Sequence, residues 1–154
     1  MNEIHGDLNG AGKRFALLVT RFNSLVTEQL VAGAKDCLLR HGVDGEAIDL
    51  YRVPGAWELP AAAARIVKSG KYDALVALGC IIRGGTPHFE YVAGEASRGL
   101  GAVAREAAIP VSFGVLTTDT VDQALERAGT KAGNKGWDAA LSALEMSELF
   151  RRME

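Results

Sequence analysis

The sequence predicts an α/β fold in which a four-stranded parallel sheet is covered by helices on both faces, giving three α/β/α layers. Two observations predict it: short, continuous apolar runs that are typical of strands buried on both faces, and intervening segments whose apolar residues recur with helical spacing. Strands that alternate with helices along a chain are joined by helical crossovers, and such connections produce a parallel sheet.

Each element has its own local signals. The predicted strands cover residues 15–19, 48–53, 74–81 and 110–116, and the longer helices cover about 24–41, 58–69, 89–108 and 137–150. Asn23 or Ser24 is the expected cap of the first helix, and Gly42 its terminator. Pro60 is tolerated in the first turn of the second helix. Thr120 and Gln123 have the spacing of a capping box and predict a short fourth helix.

The length and the net charge limit the classes of protein to which the chain can belong. A chain of 154 residues fits one domain, predicted at 13–154 behind a polar arm at 1–12 that is either frayed or added to a neighbouring subunit's sheet. The net charge of -2 gives no reason to expect nucleic acid or an anionic membrane as a partner. Cys37 and Cys80 are predicted to be small buried residues. The arm lacks the pattern of a signal peptide, so we expect a cytoplasmic protein.

Ligands of open α/β sheets bind beside the carboxyl ends of the strands. In this sequence those ends lead into loops at residues 20–23, 52–58, 80–88 and 116–120. Three of the loops carry residues suited to chemistry, and we take them in chain order.

Phe22 is an aromatic residue directly after the first strand, in a polar loop. Its flat face could stack on a heterocycle. From the residue alone, packing onto the start of the next helix is the favoured interpretation.

The second loop contains Gly55, Trp57 and Glu58 beside a helix start. Gly55 lets a ligand approach the backbone, and the first N–H groups of the helix are free donors. Glu58 could accept hydrogen bonds from sugar hydroxyls, but a favourable charge on the helix dipole explains it equally well. Trp57 is expected to be a partly buried packing residue.

The third loop, Gly84-Gly85-Thr86-Pro87-His88, precedes the long third helix. Glycine-loop amides before a helix form an anion site, and the Thr86 hydroxyl adds a donor. His88 would then stand beside the anion, where a histidine can transfer protons at neutral pH. A histidine that only caps or packs at the helix start is the alternative.

Arg127, Lys131 and Lys135 form a basic cluster among glycines. An arginine suits forked binding of phosphate, although a cation late in a helix is also favoured by the dipole. Nothing in the predicted topology brings Arg127 to a strand's carboxyl end, so another subunit would have to supply it to such a site. No group of His, Cys, Asp or Glu has metal-ligand spacing, and no metal site is predicted.

Four stretches resemble one known family, the lumazine synthases. They are Gly55-Ala56-Trp57-Glu58, the run from Ile81 to Val92 (IIRGGTPHFEYV), Phe113-Gly114-Val115-Leu116-Thr117-Thr118, and the run from Glu126 to Gly136 (ERAGTKAGNKG). The resemblance covers about residues 13–150 in the right order and spacing. Two positions vary from the commonest family pattern, Trp57 in place of a smaller aromatic and Pro87 before His88.

The resemblance implies a flavodoxin-like sheet and site residues by motif position. Phe22 would stack on a pyrimidine. The remaining pyrimidine and ribityl contacts would come from Asn23, Ala56, Trp57, Glu58, Cys80, Ile81, Ile82, Phe113 and Lys135. Phosphate would be bound by Gly85, Thr86 and Arg127. His88 would be the catalytic proton shuttle, and Asp138 is a candidate to orient His88 or Lys135.

The resemblance also implies the reaction, a transferase step of riboflavin biosynthesis. The family condenses 5-amino-6-(D-ribitylamino)uracil with 3,4-dihydroxy-2-butanone 4-phosphate to give 6,7-dimethyl-8-ribityllumazine, phosphate and water. No cofactor or metal is expected, because the pyrimidine supplies the nucleophile. A pentamer with shared sites is implied, with a 60-subunit icosahedral shell and riboflavin synthase as further candidate partners. The alternative is a paralogue that binds flavin or lumazine without catalysis, or that only forms a shell.

Overall fold

A computed structural model describes residues 1–154. Its helices and strands begin and end close to the capping, glycine and proline residues that predict them. Two single turns of 3-10 helix occur at Gly45–Ala47 and Ala56–Glu58. The strands are β1 (Phe15–Thr20), β2 (Ile48–Val53), β3 (Ala74–Ile82) and β4 (Val111–Thr118), and the helices are α1 (Ser24–Arg40), α2 (Leu59–Lys68), α3 (His88–Glu106), α4 (Val121–Glu126) and α5 (Lys135–Met153).

The sheet is parallel throughout, with strand order β2-β1-β3-β4. Core residues of α1 and α5 pack on one face, and those of α2 and α3 pack on the other. The predicted three-layer α/β/α arrangement with a four-stranded parallel sheet is therefore confirmed. This strand order is that of the flavodoxin-like sheets.

Burial follows the position of each strand in the sheet. All six residues of β1 and eight of the nine in β3 are buried, as their apolar runs predict. β2 and β4 are the sheet edges, and each is partly exposed. An unpaired edge offers free backbone N–H and C=O groups to another chain.

Two glycines, one in each helix, allow α1 and α5 to lie close together. A Cβ on Gly136 would lie 2.0 Å from the carbonyl oxygen of Leu30, and one on Gly33 would lie 2.3 Å from the Asn134 side chain. The backbone at Leu30 leaves no space for a side chain at Gly136, so the start of α5 rests directly on the backbone of α1.

The N-terminal arm runs along α5 and forms no strand within the chain. Gly6 is buried against the backbone at Glu145, and Arg152 donates hydrogen bonds to the His5 carbonyl and to Asp7. The buried carboxylate of Glu148 accepts from Lys13 at 3.2 Å.

Several local predictions are confirmed and one is wrong. Thr120 and Gln123 form the predicted capping box, and Gly42 follows α1 with a φ of 93°. Asn23 does occupy the cap position of α1, but its side chain makes no capping bond, because it is used elsewhere. β4 extends two residues beyond the predicted end and α5 begins two residues early.

None of the helices is both long and apolar enough to span a membrane.

Candidate active site

A cavity of about 530 Å³ opens at the carboxyl ends of β1, β2 and β3. Its size falls in the usual range for small-molecule sites. It is lined by residues of three loops, the end of β3 and the first turns of α3: Phe22, Asn23, Pro54, Gly55, Ala56, Trp57, Glu58, Cys80, Ile81, Ile82, Gly84, Thr86, His88, Phe89 and Val92.

Two exposed aromatic side chains stand at the cavity. Phe22 is 72% exposed and Trp57 is 60% exposed. Most of each side chain is therefore open, which contradicts packing of Phe22 onto the start of α1 and leaves Trp57 covered only in its smaller part. Aromatic rings left open beside a cavity can stack on a flat ligand.

Asn23 joins the first loop to the end of β3. Its φ of 62° is left-handed, a conformation that asparagine tolerates better than most residues. From there its side-chain amide donates to the Cys80 carbonyl at 2.8 Å. The loops after β1 and β2 are also joined, because the Arg21 and Phe22 N–H groups donate to the carbonyls of Val53 and Pro54.

Ala56 and Glu58 lie in the 3-10 turn that leads into α2. Ala56 is buried and Glu58 is half-buried. A Cβ on Gly55 would lie 3.8 Å from Oε2 of Glu58, so the carboxylate stands over the glycine backbone. The turn thus presents one negative charge to the cavity.

Cys80, Ile81 and Ile82 line the cavity from the end of β3. Cys80 is buried, and burial raises the pKa of its thiol to about 11. The thiol is therefore protonated at neutral pH and is a poor nucleophile. The predicted burial of both cysteines is confirmed.

The segment Gly84-Gly85-Thr86-Pro87 before α3, here called the glycine loop, has backbone donors that make no hydrogen bond. The backbone N–H groups of Gly84, Gly85 and Thr86 donate no hydrogen bond within the chain. His88 is the first residue of α3 and is exposed. Free amides before a helix start favour an anion, and His88 lines the same cavity.

Comparison with known proteins assigns the family. Residues 12–151 match the family described as 6,7-dimethyl-8-ribityllumazine synthase. A protein of that name from Chlorobaculum tepidum is 56% identical over 153 residues, covering 99% of each chain. Another from Desulfatibacillum aliphaticivorans is 56% identical over 151 residues, 98% of this chain and 97% of the relative. The chain belongs to the 6,7-dimethyl-8-ribityllumazine synthase family.

In this lumazine synthase family member, ten of the predicted site residues line the cavity and four do not. The ten are Phe22, Asn23, Ala56, Trp57, Glu58, Cys80, Ile81, Ile82, Thr86 and His88, and the four are Gly85, Phe113, Arg127 and Lys135. Gly85 lies in the loop between the lining residues Gly84 and Thr86. No hydrogen bond joins Asp138 to His88 or Lys135 within the chain.

Phe113, Arg127 and Lys135 lie elsewhere on this lumazine synthase family fold. Phe113 is 41% exposed on the β4 edge, where it lines two shallow depressions. Arg127 caps the end of α4 and donates to the Gln123 carbonyl at 3.0 Å. Lys135 begins α5. No lysine or arginine lines the cavity, so within one chain it has no permanent positive charge.

Phe89 and Val92 line the cavity but were not among the predicted site residues. Val92 lies four residues after His88, and residues so spaced share a helix face. That spacing could have identified Val92, since a histidine directed at a cavity implies that the next turn faces it too. Within the chain there is no cluster of residues able to hold a metal ion.

Proposed function

We propose that this chain condenses 5-amino-6-(D-ribitylamino)uracil with 3,4-dihydroxy-2-butanone 4-phosphate to give 6,7-dimethyl-8-ribityllumazine, phosphate and water. It is then a transferase of riboflavin biosynthesis. The observation that carries the proposal is the cavity, which combines two open aromatic rings with a loop of free amides and an exposed histidine. The names of its relatives agree with it.

The pyrimidine substrate occupies the apolar end of the cavity. Phe22 stacks on the ring, and the backbone of Cys80, Ile81 and Ile82 meets the polar edge of the pyrimidine. The Cys80 carbonyl already accepts from Asn23, but a carbonyl oxygen has a second lone pair for a ligand. Glu58 accepts from the ribityl hydroxyls, with Asn23, Ala56 and Trp57 beside the ribityl chain.

The phosphate of the second substrate binds at Gly85 and Thr86. The free amides of the loop and the Thr86 hydroxyl donate to its oxygens. These donors carry no full charge, and the cavity itself is lined by a carboxylate and no cation. Arg127 of a neighbouring copy supplies the missing charge and a forked donor.

The working unit is a pentamer whose sites are shared between neighbours. The unpaired β4 edge and the depressions around Phe113 support a contact between copies there. In this arrangement Phe113, Arg127 and Lys135 of one copy face the cavity of the next. A 60-subunit shell built from pentamers, association with riboflavin synthase and a cytoplasmic location belong to the same proposal.

His88 transfers protons between the reacting groups. The pyrimidine amine attacks the ketone, and loss of water gives an imine. Elimination of phosphate produces a second carbonyl, which the ribityl-bearing nitrogen attacks to close the ring with loss of a second water. General acid–base assistance of this kind is typically worth 10²–10⁴-fold in rate.

An assay with the purified chain tests the function. The two substrates are mixed with protein in the presence of EDTA, and lumazine fluorescence is followed against a control without protein, because the compounds can condense slowly alone. We expect a protein-dependent rise that Arg127→Ala reduces by raising the KM of the ketose phosphate. Tight flavin binding with no rise above the control would contradict the proposal.

A further inference from the structure

The two glycines of the glycine loop make few contacts with the rest of the chain. A Cβ built on Gly84 or Gly85 would meet no atom within 4 Å, so the side-chain position of each residue is open space. Their N–H groups are equally free. A loop that binds an anion through such groups loses affinity when it must first be ordered, and its ends therefore have to be fixed.

Arg83 fixes both ends of this loop. Its backbone N–H donates to the Thr118 carbonyl at 2.8 Å, which continues the β3–β4 ladder past the last residue of β3. Its side chain donates to Glu90 in the first turn of α3. The guanidinium carbon also lies 4.5 Å from the ring centre of Phe89. One residue thus connects the start of the loop to the helix that follows it.

The same side chain reaches a third segment. Nε of Arg83 donates to Oδ1 of Asp119 at 2.8 Å, in the loop between β4 and α4. The Asp119 N–H in turn donates to the Gln123 side chain of the capping box. A single exposed ion pair contributes little to stability, but these contacts converge on one planar group and restrict its geometry.

Arg83 is not itself placed to bind the anion. The guanidinium is paired with two carboxylates, and its hydrogen bond lowers the pKa of Glu90, so that this carboxylate is ionised at neutral pH. Arg83 is absent from the cavity lining, whereas its stacking partner Phe89 is part of it. Its charge is paired with Glu90 and Asp119.

We propose that Arg83 is a positioning residue that holds the glycine loop in the geometry that binds the phosphate of the second substrate. This inference rests on the proposed function and adds a residue to it. Because Arg83 acts through the loop, its loss weakens the phosphate substrate selectively. A lysine retains the charge but has no planar fork, so it cannot reproduce two paired contacts and a stacked ring.

The test compares Arg83→Ala and Arg83→Lys with Arg40→Ala. Arg40 is a matched control, because it is also exposed and paired with a carboxylate, Asp36 on α1. We expect Arg83→Ala to raise the KM of the ketose phosphate tenfold or more, with Arg83→Lys in between. The KM of the pyrimidine changes less than twofold, kcat at saturation less than threefold, and Arg40→Ala changes none of them. Equal rises in both KM values, or no rise in either, would overturn the proposal.

Inorganic phosphate separates this inference from the function on which it rests. Its binding to each variant is measured by titration calorimetry without either substrate. Loss of phosphate binding in Arg83→Ala but not in Arg40→Ala supports the positioning role even in a chain that forms no lumazine. Phosphate binding that is unchanged in Arg83→Ala contradicts the positioning role even in an active enzyme.

Discussion

The side-chain amide of Asn23 donates to the backbone carbonyl of Cys80 at 2.8 Å, and this bond joins the loop after β1 to the end of β3 at the cavity. It explains why Asn23 does not cap α1. It also places a left-handed residue, with a φ of 62°, where two lining segments meet.

Substitutions at Asn23 separate the hydrogen bond from the backbone conformation. Asn23→Gly removes the hydrogen bond together with the Cβ, whereas Asn23→Ala removes the bond and keeps a Cβ in the left-handed region without the local hydrogen bonding by which asparagine tolerates it. We therefore expect Asn23→Ala to be less stable than Asn23→Gly by about 1–2 kcal/mol. Urea unfolding at equal protein concentration measures the difference, and equal midpoints for the two variants would refute the strain argument.

Asn134 both caps α5 and ties the preceding loop to α1. Its oxygen accepts from the Trp137 N–H, and its amide donates to the carbonyls of Gln29 and Ala128. Serine retains the cap and loses both donated bonds, whereas alanine loses all three. We expect Asn134→Ala to be less stable than Asn134→Ser by about 1 kcal/mol, the usual value of a cap. Thermal unfolding checks this order, and identical curves would show that the cap contributes nothing.

Glu148 makes the stability of the arm depend on pH. A hydrogen bond from Arg151, helped by Lys13 and Arg152 and opposed by burial, lowers the pKa of Glu148 to about 2. A glutamate in the unfolded chain has a pKa of about 4.3, so the stabilisation is complete above that pH and is lost as the pH falls towards 2. Stability curves of the unaltered chain and Glu148→Gln should therefore be separated at pH 7 and approach each other as the pH falls from about 4 towards 2. A separation that is the same at every pH would be inconsistent with this pairing.

His88→Ala should lower turnover without abolishing it. Proton transfer is typically worth 10²–10⁴-fold, whereas holding two reactants together can supply about 7–11 kcal/mol. Steady-state kinetics of His88→Ala are compared with those of His5→Ala, whose histidine lies in the arm. A complete loss of activity with both substrates still bound would mean that positioning is not the main effect.

The sequence predicts the sheet because its strands carry their own signals. The runs at Phe15–Thr20 and Ala74–Ile82 are continuously apolar, and both occupy the centre of the sheet. The ends of these two strands and of β2 identify the region of the site, where ten predicted site residues line the cavity. Local spacing is sufficient for the strands and loops because they depend on neighbours in the chain, whereas the resemblance to lumazine synthases supplied Asn23, Ala56 and the residues 80–82.

Other features depend on contacts that a sequence does not display. Asn23 has the right residue type for a cap, and only the tertiary fold brings the Cys80 carbonyl within its reach. In the sequence Arg83 is only a polar residue of a loop, and its pairing with Glu90 and Asp119 is visible only in the fold. Phe22 and Trp57 are residue types that usually pack, and the fold shows that most of each side chain is exposed at the cavity.

Complementation between two variants tests most directly whether one copy's cavity is completed by Arg127 of another. Copies with His88→Ala and copies with Arg127→Ala are unfolded, mixed in equal amounts and refolded together, beside each variant refolded alone. With shared sites, about a quarter of the cavities in a random mixture combine an intact His88 with an intact neighbouring Arg127, and activity rises well above that of either variant. Activity no higher than the mean of the two variants would place both residues in a site of one chain and contradict the shared cavity.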